Sequence, residues 1–304
     1  MAYAFTRRES CPACGRPDGR QLLDLPFDAP PISDYLDTFY SSRVSPGTLT
    51  AGRYVLVECS ACSLVYQRDV PGPELLELVY DDAVPVTPEA GRSARGLNER
   101  RQYAFQVEQM LKYFGRHPAD VAVLDYGMGW GNWLQMAQAY GCRASGSELS
   151  SARAEAPAPG VEVIPPDEIP QARFDFVNTE QVFEHLTEPW ETGQVLAGAL
   201  RPGGILRISV PNGSAISELL GSPDWTAPKG SARSLNAVAP LEHVNCFSHT
   251  ALVRFGERLG LTPMHYPVRQ FLDPWERMRF AASALVHSVR RPKGTMLLFA
   301  KPTQ

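Results

Sequence analysis

Six cysteines stand among the 304 residues, and four of them come in pairs. Cys11-Pro-Ala-Cys14 and Cys59-Ser-Ala-Cys62 each form C-x2-C, with 44 residues between the pairs. Two such turns present two sulfurs apiece, and four thiolates suit tetrahedral Zn2+ at about 2.3 Å. A zinc ligated by four side chains has no open position, so its expected role is structural. A reactive dithiol is the other reading of a C-x2-C turn. Cys142 and Cys246 are solitary. The N-terminus lacks a long apolar stretch, which predicts a reducing, cytoplasmic setting. There, paired cysteines favour metal over disulfides.

A second group of residues has the chemistry to hold a nucleoside. Leu124-Asp125-Tyr-Gly127-Met-Gly129-Trp-Gly131-Asn132 follows an apolar strand and opens a helical stretch. In an open α/β sheet a ligand sits at the carboxyl ends of the strands, and glycines there let backbone approach it closely. The dinucleotide fingerprint is G-x-G-x-x-G. Here the third glycine comes one position early and Asn132 fills its place. The D-x-G-x-G-x-G pattern suits a ligand with a cationic amino-acid end and no phosphate, namely S-adenosylmethionine. Glu148, in Gly146-Ser-Glu148, ends the second strand. A carboxylate there can accept both ribose hydroxyls, a role it would also play for NAD.

These residues need a scaffold, and the pattern of elements predicts one. Apolar runs at 121–124, 142–146, 161–164, 174–177 and 205–210 read as strands. Helical patterns run from Asn98 to Gly115, Trp130 to Tyr140, Glu188 to Leu200 and Ser248 to Leu259, with Ser248 as the cap of the last. His265–Val268 and Thr295–Phe299 are expected as closing strands, with an amphipathic helix at 274–290 between them. This alternation gives a doubly wound, mainly parallel α/β sheet. Three segments are expected: a zinc-binding domain at 1–80, a linker or lid at 81–98, and the α/β domain at 99–304. Net charge is −4, with 44% hydrophobic and 20% charged residues. That is ordinary for a globular chain and argues against a general nucleic-acid binder. No apolar run is long enough to span a membrane.

Over about residues 98–300 the sequence resembles the class I S-adenosylmethionine-dependent methyltransferases. Val123-Leu-Asp125-Tyr-Gly-Met-Gly-Trp-Gly131 is similar to their first motif. Phe174-Asp-Phe-Val-Asn-Thr-Glu180-Gln-Val-Phe-Glu184-His185-Leu is similar to their fourth-strand motif. Leu200-Arg-Pro-Gly-Gly to Pro211-Asn is similar to the turn into their fifth strand. The resemblance implies a seven-stranded sheet whose last strand is antiparallel. It implies that Asp125, Gly127, Gly129 and Gly131 hold the methionine end, that Glu148 binds ribose, and that Asp167 or Glu168 lies near adenine. Glu180, closing the fourth strand, is grouped with these cofactor residues.

The first 80 residues resemble the N-terminal zinc-binding domain of some bacterial sugar and natural-product methyltransferases. The likeness rests on Cys11-Pro-Ala-Cys14-Gly, Leu23-Asp-Leu-Pro26 to Leu36, and Cys59-Ser-Ala-Cys62 to Tyr80. It implies a small-molecule acceptor, with Cys11, Cys14, Cys59 and Cys62 holding zinc. Several of those proteins methylate carbon in nucleotide-linked sugars and carry a further C-terminal domain. This sequence stops near residue 304, so transfer to carbon, oxygen or nitrogen is expected alike. A Glu-His pair in such proteins is proposed to deprotonate the acceptor, which implies that role for Glu242-His243. His185, after the fourth strand, is the other candidate base. Tyr80 and Tyr126 are candidates to line the acceptor pocket. Lys229 and Arg233, with Arg92, Arg95, Arg100 and Arg101, could meet an anionic group or simply face solvent. The alternative acceptor is carrier-bound or a protein, docked by the zinc domain. The [N/D]-P-P-[Y/F] signature of base amino-methylation is absent, since Asn178-Thr-Glu-Gln stands there. No nucleic-acid or membrane partner is expected, and the oligomeric state is left open.

Overall fold

The computed structural model describes residues 2–40, 43–79, 96–154, 160–265 and 294–303. Tyr80, the stretch 81–95 with Arg92 and Arg95, and the helix expected at 274–290 lie outside the described residues. Among the described residues no helix is long and apolar enough to cross a membrane.

Seven strands form the main sheet: β6 (Ala122–Tyr126), β7 (Arg143–Ser147), β8 (Glu162–Val163), β9 (Phe174–Glu180), β10 (Leu200–Pro211), β12 (Thr262–Met264) and β13 (Gly294–Ala300). Their order is β12-β13-β10-β9-β6-β7-β8. The pairs from β10 through β8 are parallel, and β13 lies antiparallel to both β10 and β12. This is the doubly wound sheet with a reversed last strand that the sequence predicts. The central strand β6 (Ala-Val-Leu-Asp-Tyr) and β9 are buried along almost their whole length, as strands covered on both faces must be. Helices α3 (Leu97–Phe114), α4 (Asn132–Ala139), α6 (Pro189–Ala199) and α8 (His249–Arg258) flank the sheet. Gly115, with φ 58°, closes α3 by donating to the Leu111 carbonyl. Ser248 caps α8 as expected, its hydroxyl accepting from the Ala251 amide.

One boundary differs from the sequence expectation, and one expected strand lies mostly outside the described residues. The edge strand after α8 is Thr262–Met264, while of the expected His265–Val268 the residues 266–268 lie outside the described residues. Gly260 takes a left-handed turn, and the chain then pairs at once with residues 298–300 of β13. Helix α4 begins at Asn132, because Gly131 in front of it is left-handed (φ 75°).

The N-terminal segment builds a second sheet from β2 (Gly19–Pro26), β3 (Arg53–Cys59) and β4 (Val65–Gln67). Its fourth strand, β11 (Asn245–Cys246), comes from far along the chain and pairs with β4. A short ribbon joins β1 (Phe5–Arg7) to β5 (Asp69–Pro71). Phe27, Ile32, Leu36 and Tyr40 pack in one cluster with Ile216, Leu235, Val238 and Leu241. Ile32, Leu36 and their neighbours lie on α1 (Ile32–Phe39). The cysteine end of this sheet packs into the main core beside Leu252 and Phe255. The two sheets therefore share apolar cores across a continuous contact.

Candidate functional site

The glycine turn leaves β6 and crosses the carboxyl edge of the sheet. Gly127, Gly129 and Gly131 all have positive φ, 73°, 55° and 75°. A Cβ on Gly127 would lie 2.5 Å from Val182, so the turn sits directly against the loop that follows β9. The space over Gly129 is open within 4 Å. The turn's amides are largely engaged. Gly127 and Met128 donate to the Ser147 carbonyl, Gly131 to Met128, and Gly129 to the Glu148 carboxylate at 2.8 Å. A phosphate cradle needs converging amides, and those four are spent. Glu148 also accepts from the Ser150 amide at 3.0 Å, and remains partly exposed. Asp167 and Glu168 are exposed in the turn beyond β8.

Beneath the turn lies a chain of buried polar groups. Asp125, 4% exposed, accepts a 2.7 Å hydrogen bond from the Asn178 amide. Asn178 in turn accepts a 2.6 Å bond from the Arg207 guanidinium, which reaches Glu180 at 3.3 Å. Burial pushes the Asp125 carboxyl up to about 7; the Asn178 amide opposes the shift and the nearby Glu180 adds to it. Sequence reading gave no role to Arg207 or Asn178. A charged residue inside Ile-Leu-Arg-Ile-Ser-Val was the available signal, since a covered central strand is otherwise apolar.

A second cluster joins the loop after β9 to the segment before β11. One oxygen or nitrogen each from Glu184, His185 and His243 lies within 4.8 Å of the others. The two rings stand 4.8 Å apart, centroid to centroid, and His185 Nε2 is 3.9 Å from Glu184 Oε1. His185 Nδ1 lies 2.9 Å from the Glu242 carbonyl, and His243 Nδ1 bonds the Asn236 carbonyl. The partner of His243 is thus a backbone carbonyl, whereas the expected Glu242–His243 pair meets the cluster through the Glu242 main chain. Burial lowers His185 to about 4 and His243 to about 3, and raises Glu184 to about 8.

The N-terminal sheet holds this cluster in place. Asn245 Nδ2 donates to the carbonyls of Phe183 and Leu186, on either side of Glu184-His185. Arg8 donates to the Asn245 side chain at 3.0 Å and to the carbonyls of Gln67, Val244, Leu186 and Thr187. Gln67 Nε2 donates to the carbonyls of Ala239 and His243. Tyr40 and Tyr54 hydroxyls donate to Pro240 and Val238. None of these partnerships is local in sequence.

Nearby, a cavity of about 370 Å3 is lined by Tyr35, Phe39, Trp225, Lys229 and Asn236, among others. Asn236 is also the residue whose carbonyl takes His243. Arg233 turns instead to its own loop, donating to Ser222 and lying 3.7 Å from Asp224. Tyr126 is buried in the main core and so does not open onto this cavity. His249 is exposed at the start of α8, and Arg100 and Arg101 are exposed on α3.

At the far end of the second sheet, the sulfurs of Cys11 and Cys62 lie 3.6 Å apart and those of Cys14 and Cys59 3.5 Å apart. All four fall within 4.8 Å of one another. The edge of a tetrahedron with 2.3 Å Zn–S bonds is about 3.8 Å, so the group has the dimensions of a four-thiolate site.

The methyltransferase domain family matches residues 97–266, more than half of the chain. No curated protein matches the sequence. Among solved structures, the plantazolicin methyltransferase BamL, determined with a triazolic desmethylPZN analog and SAH, is 15% identical with a TM-score of 0.49. That likeness covers 74% of this chain and 92% of that one. The 1,6-didemethyltoxoflavin-N1-methyltransferase of Burkholderia thailandensis is 15% identical with a TM-score of 0.44, covering 82% and 95%. A SAM-dependent methyltransferase from Archaeoglobus fulgidus is 15% identical with a TM-score of 0.41, covering 65% and 94%. The assignment rests on the domain match, which spans β6 to β12 and the glycine turn: the chain belongs to the methyltransferase-domain family and is an S-adenosylmethionine-dependent enzyme.

Proposed function

We propose that this enzyme methylates a small-molecule acceptor, with a structural zinc in the N-terminal segment framing the acceptor side of the site. The observation that carries this reading is the cavity beside Asn236, whose carbonyl bonds His243 of the Glu184–His185–His243 cluster and which is walled by the N-terminal aromatics Tyr35 and Phe39. Its volume suits a small organic molecule. S-adenosylmethionine supplies, when bound, a methyl group already activated on a sulfonium. The chain's own residues do the rest. Asp125 and the turn Gly127–Gly131 would hold the amino-acid end, Glu148 the ribose, and Asp167 the adenine edge. Glu180, tied to Arg207, fixes the floor of that pocket. The four engaged turn amides favour this ligand over a pyrophosphate. Acceptor activation falls to His185 and His243. With each Nδ1–H donated to a carbonyl, Nε2 is the nitrogen that carries the lone pair. In its simplest form, His243 Nε2 takes the acceptor's proton as general base.

The test is to supply methyl-labelled cofactor with separated fractions of a cell extract. Label should enter the small-molecule fraction. Label confined to protein would replace this reading with that of a docked macromolecular acceptor.

The raised Asp125 carboxyl gives a pH dependence. Below pH 7 it is largely protonated in the free enzyme, and a cationic amino group binds its ionised form. S-adenosylhomocysteine affinity should therefore fall as pH drops below 7, approaching tenfold per pH unit. Asp125→Asn should flatten that profile; an unchanged wild-type affinity from pH 5 to 8 would contradict the assignment. For stability the sign is the reverse. The folded carboxyl keeps its proton to higher pH than the unfolded one, so its contribution is full below the ordinary carboxylate range and is lost as pH rises through about 7.

A further inference from the structure

We propose that Glu184, His185 and His243 bind a first-row divalent cation, at a second metal site distinct from the cysteines, and offer its open face to an oxygen of the acceptor. The acceptor half of this inference rests on the methyl-transfer reading above; the metal half rests on the geometry of the three side chains.

Glu184 provides the first argument. It is 1% exposed, and among the described residues neither carboxylate oxygen has a hydrogen-bond partner on another residue. A buried carboxylate left without donors is costly, and such groups persist where a cation or a pair completes them. The side chain is held within reach of two imidazoles, one ring nitrogen of each lying within 4.8 Å of its oxygens.

The histidines provide the second. Both have Nδ1 against a main-chain carbonyl, Glu242 for His185 and Asn236 for His243. A bond of that kind fixes the tautomer and turns the Nε2 lone pair to the ligand, which is how proteins hold metal-binding imidazoles. A lone general base needs one such ring. Here two rings and a carboxylate converge.

The third argument is rigidity. Asn245 ties down the carbonyls on both sides of Glu184-His185, Arg8 holds Asn245, and Gln67 holds the His243 carbonyl. A ligand set fixed from behind in this way is preorganised. Two imidazoles and one carboxylate suit Mn2+, Fe2+, Co2+ or Zn2+. Three protein ligands leave positions open for a substrate oxygen. The His185 side chain, 20% exposed, marks the accessible side. Val182, two residues before Glu184, abuts Gly127, which sets the Glu184-His185 loop against the glycine turn. There a cation would polarise an acceptor hydroxyl or carbonyl and lower the pKa of a hydroxyl. In this form His243 is a ligand, and the hydroxyl proton leaves to water.

The test uses Mn2+ as the probe, because thiolate sites discriminate against it in favour of zinc. The full chain, loaded with about one equivalent of zinc, is titrated with Mn2+ and free Mn2+ is read by electron paramagnetic resonance. The wild type should take up about one equivalent of Mn2+. Glu184→Gln should bind it at least about tenfold more weakly, with zinc content unchanged. His185→Asn, which keeps a side-chain donor for the Glu242 carbonyl, should lose it likewise. S-adenosylhomocysteine binding by the same samples reports on their folding. No Mn2+ uptake by the wild type, or equal uptake by both folded variants, overturns the proposal. Mn2+ uptake without nucleoside binding would instead sink the methyl-transfer reading and leave the metal site standing.

Discussion

Cys59→Ser is expected to strip zinc from the N-terminal segment and to lower methyl transfer about a hundredfold, although Cys59 is not a member of the acceptor cluster. The argument runs through β3. Cys59 ends that strand, and Tyr54 on the same strand donates to Val238, in the segment that carries His243. Strand β4, which starts just past Cys62, carries Gln67 and pairs with β11. Four free thiols packed 3.5–3.6 Å apart supply no framework of their own. Zinc binding in such sites is folding free energy, so its loss should melt the surrounding turns. His243 would then lose its backbone anchors, and misplacement of that order is what costs a hundredfold. Metal analysis and turnover on the same preparation check this. Cys142→Ser, a buried cysteine outside the group, should keep both zinc and activity. Full activity in zinc-free Cys59→Ser would contradict the coupling.

Arg8→Met should destabilise the fold by about 3 kcal/mol or more. Arg8 is 9% exposed and its guanidinium supplies five acceptors: the Asn245 side chain and four carbonyls. Burial lowers its pKa to about 10, still well above neutrality, so it remains charged in the working range. Methionine fills similar space but withdraws all five bonds; Val244 and Leu186 keep the Gln67 amide and Asn245 Nδ2 as donors, whereas the others lose the guanidinium, and each buried group left unsatisfied costs about 1–3 kcal/mol. Chemical denaturation measures the loss. A change below about 1 kcal/mol would mean that water replaces the guanidinium without penalty.

Much of this arrangement was legible in the sequence because its signals are local. Asp125 and the three glycines sit within seven residues, and the strand-turn-helix pattern around them fixes where they lie in the sheet. The cysteine pairs carry their own spacing, and Ser248 stands directly before the helix it caps. Long-range partners left no comparable trace. Arg8 meets Asn245 across 237 positions, and Tyr54 meets Val238 across 184. Glu242 and His243 read as an adjacent pair, but they leave a turn with left-handed Leu241, where the His243 amide donates back to Ala239 and Glu242 meets the cluster through its carbonyl. His243 accordingly faces His185 and Glu184, which come from another loop. Arg207 and Asn178 were visible only as polar residues out of place in apolar strands. Their role depends on β9 and β10 lying side by side, where Arg207 pairs in register with Asn178.

Calorimetric titration of the full chain with S-adenosylhomocysteine tests the central claim most directly. The account predicts about one binding site per chain, with affinity at least about tenfold weaker in Asp125→Ala, which removes the acid at the base of the glycine turn. Absence of binding at micromolar ligand, or an Asp125→Ala protein that binds as the wild type does, would contradict it.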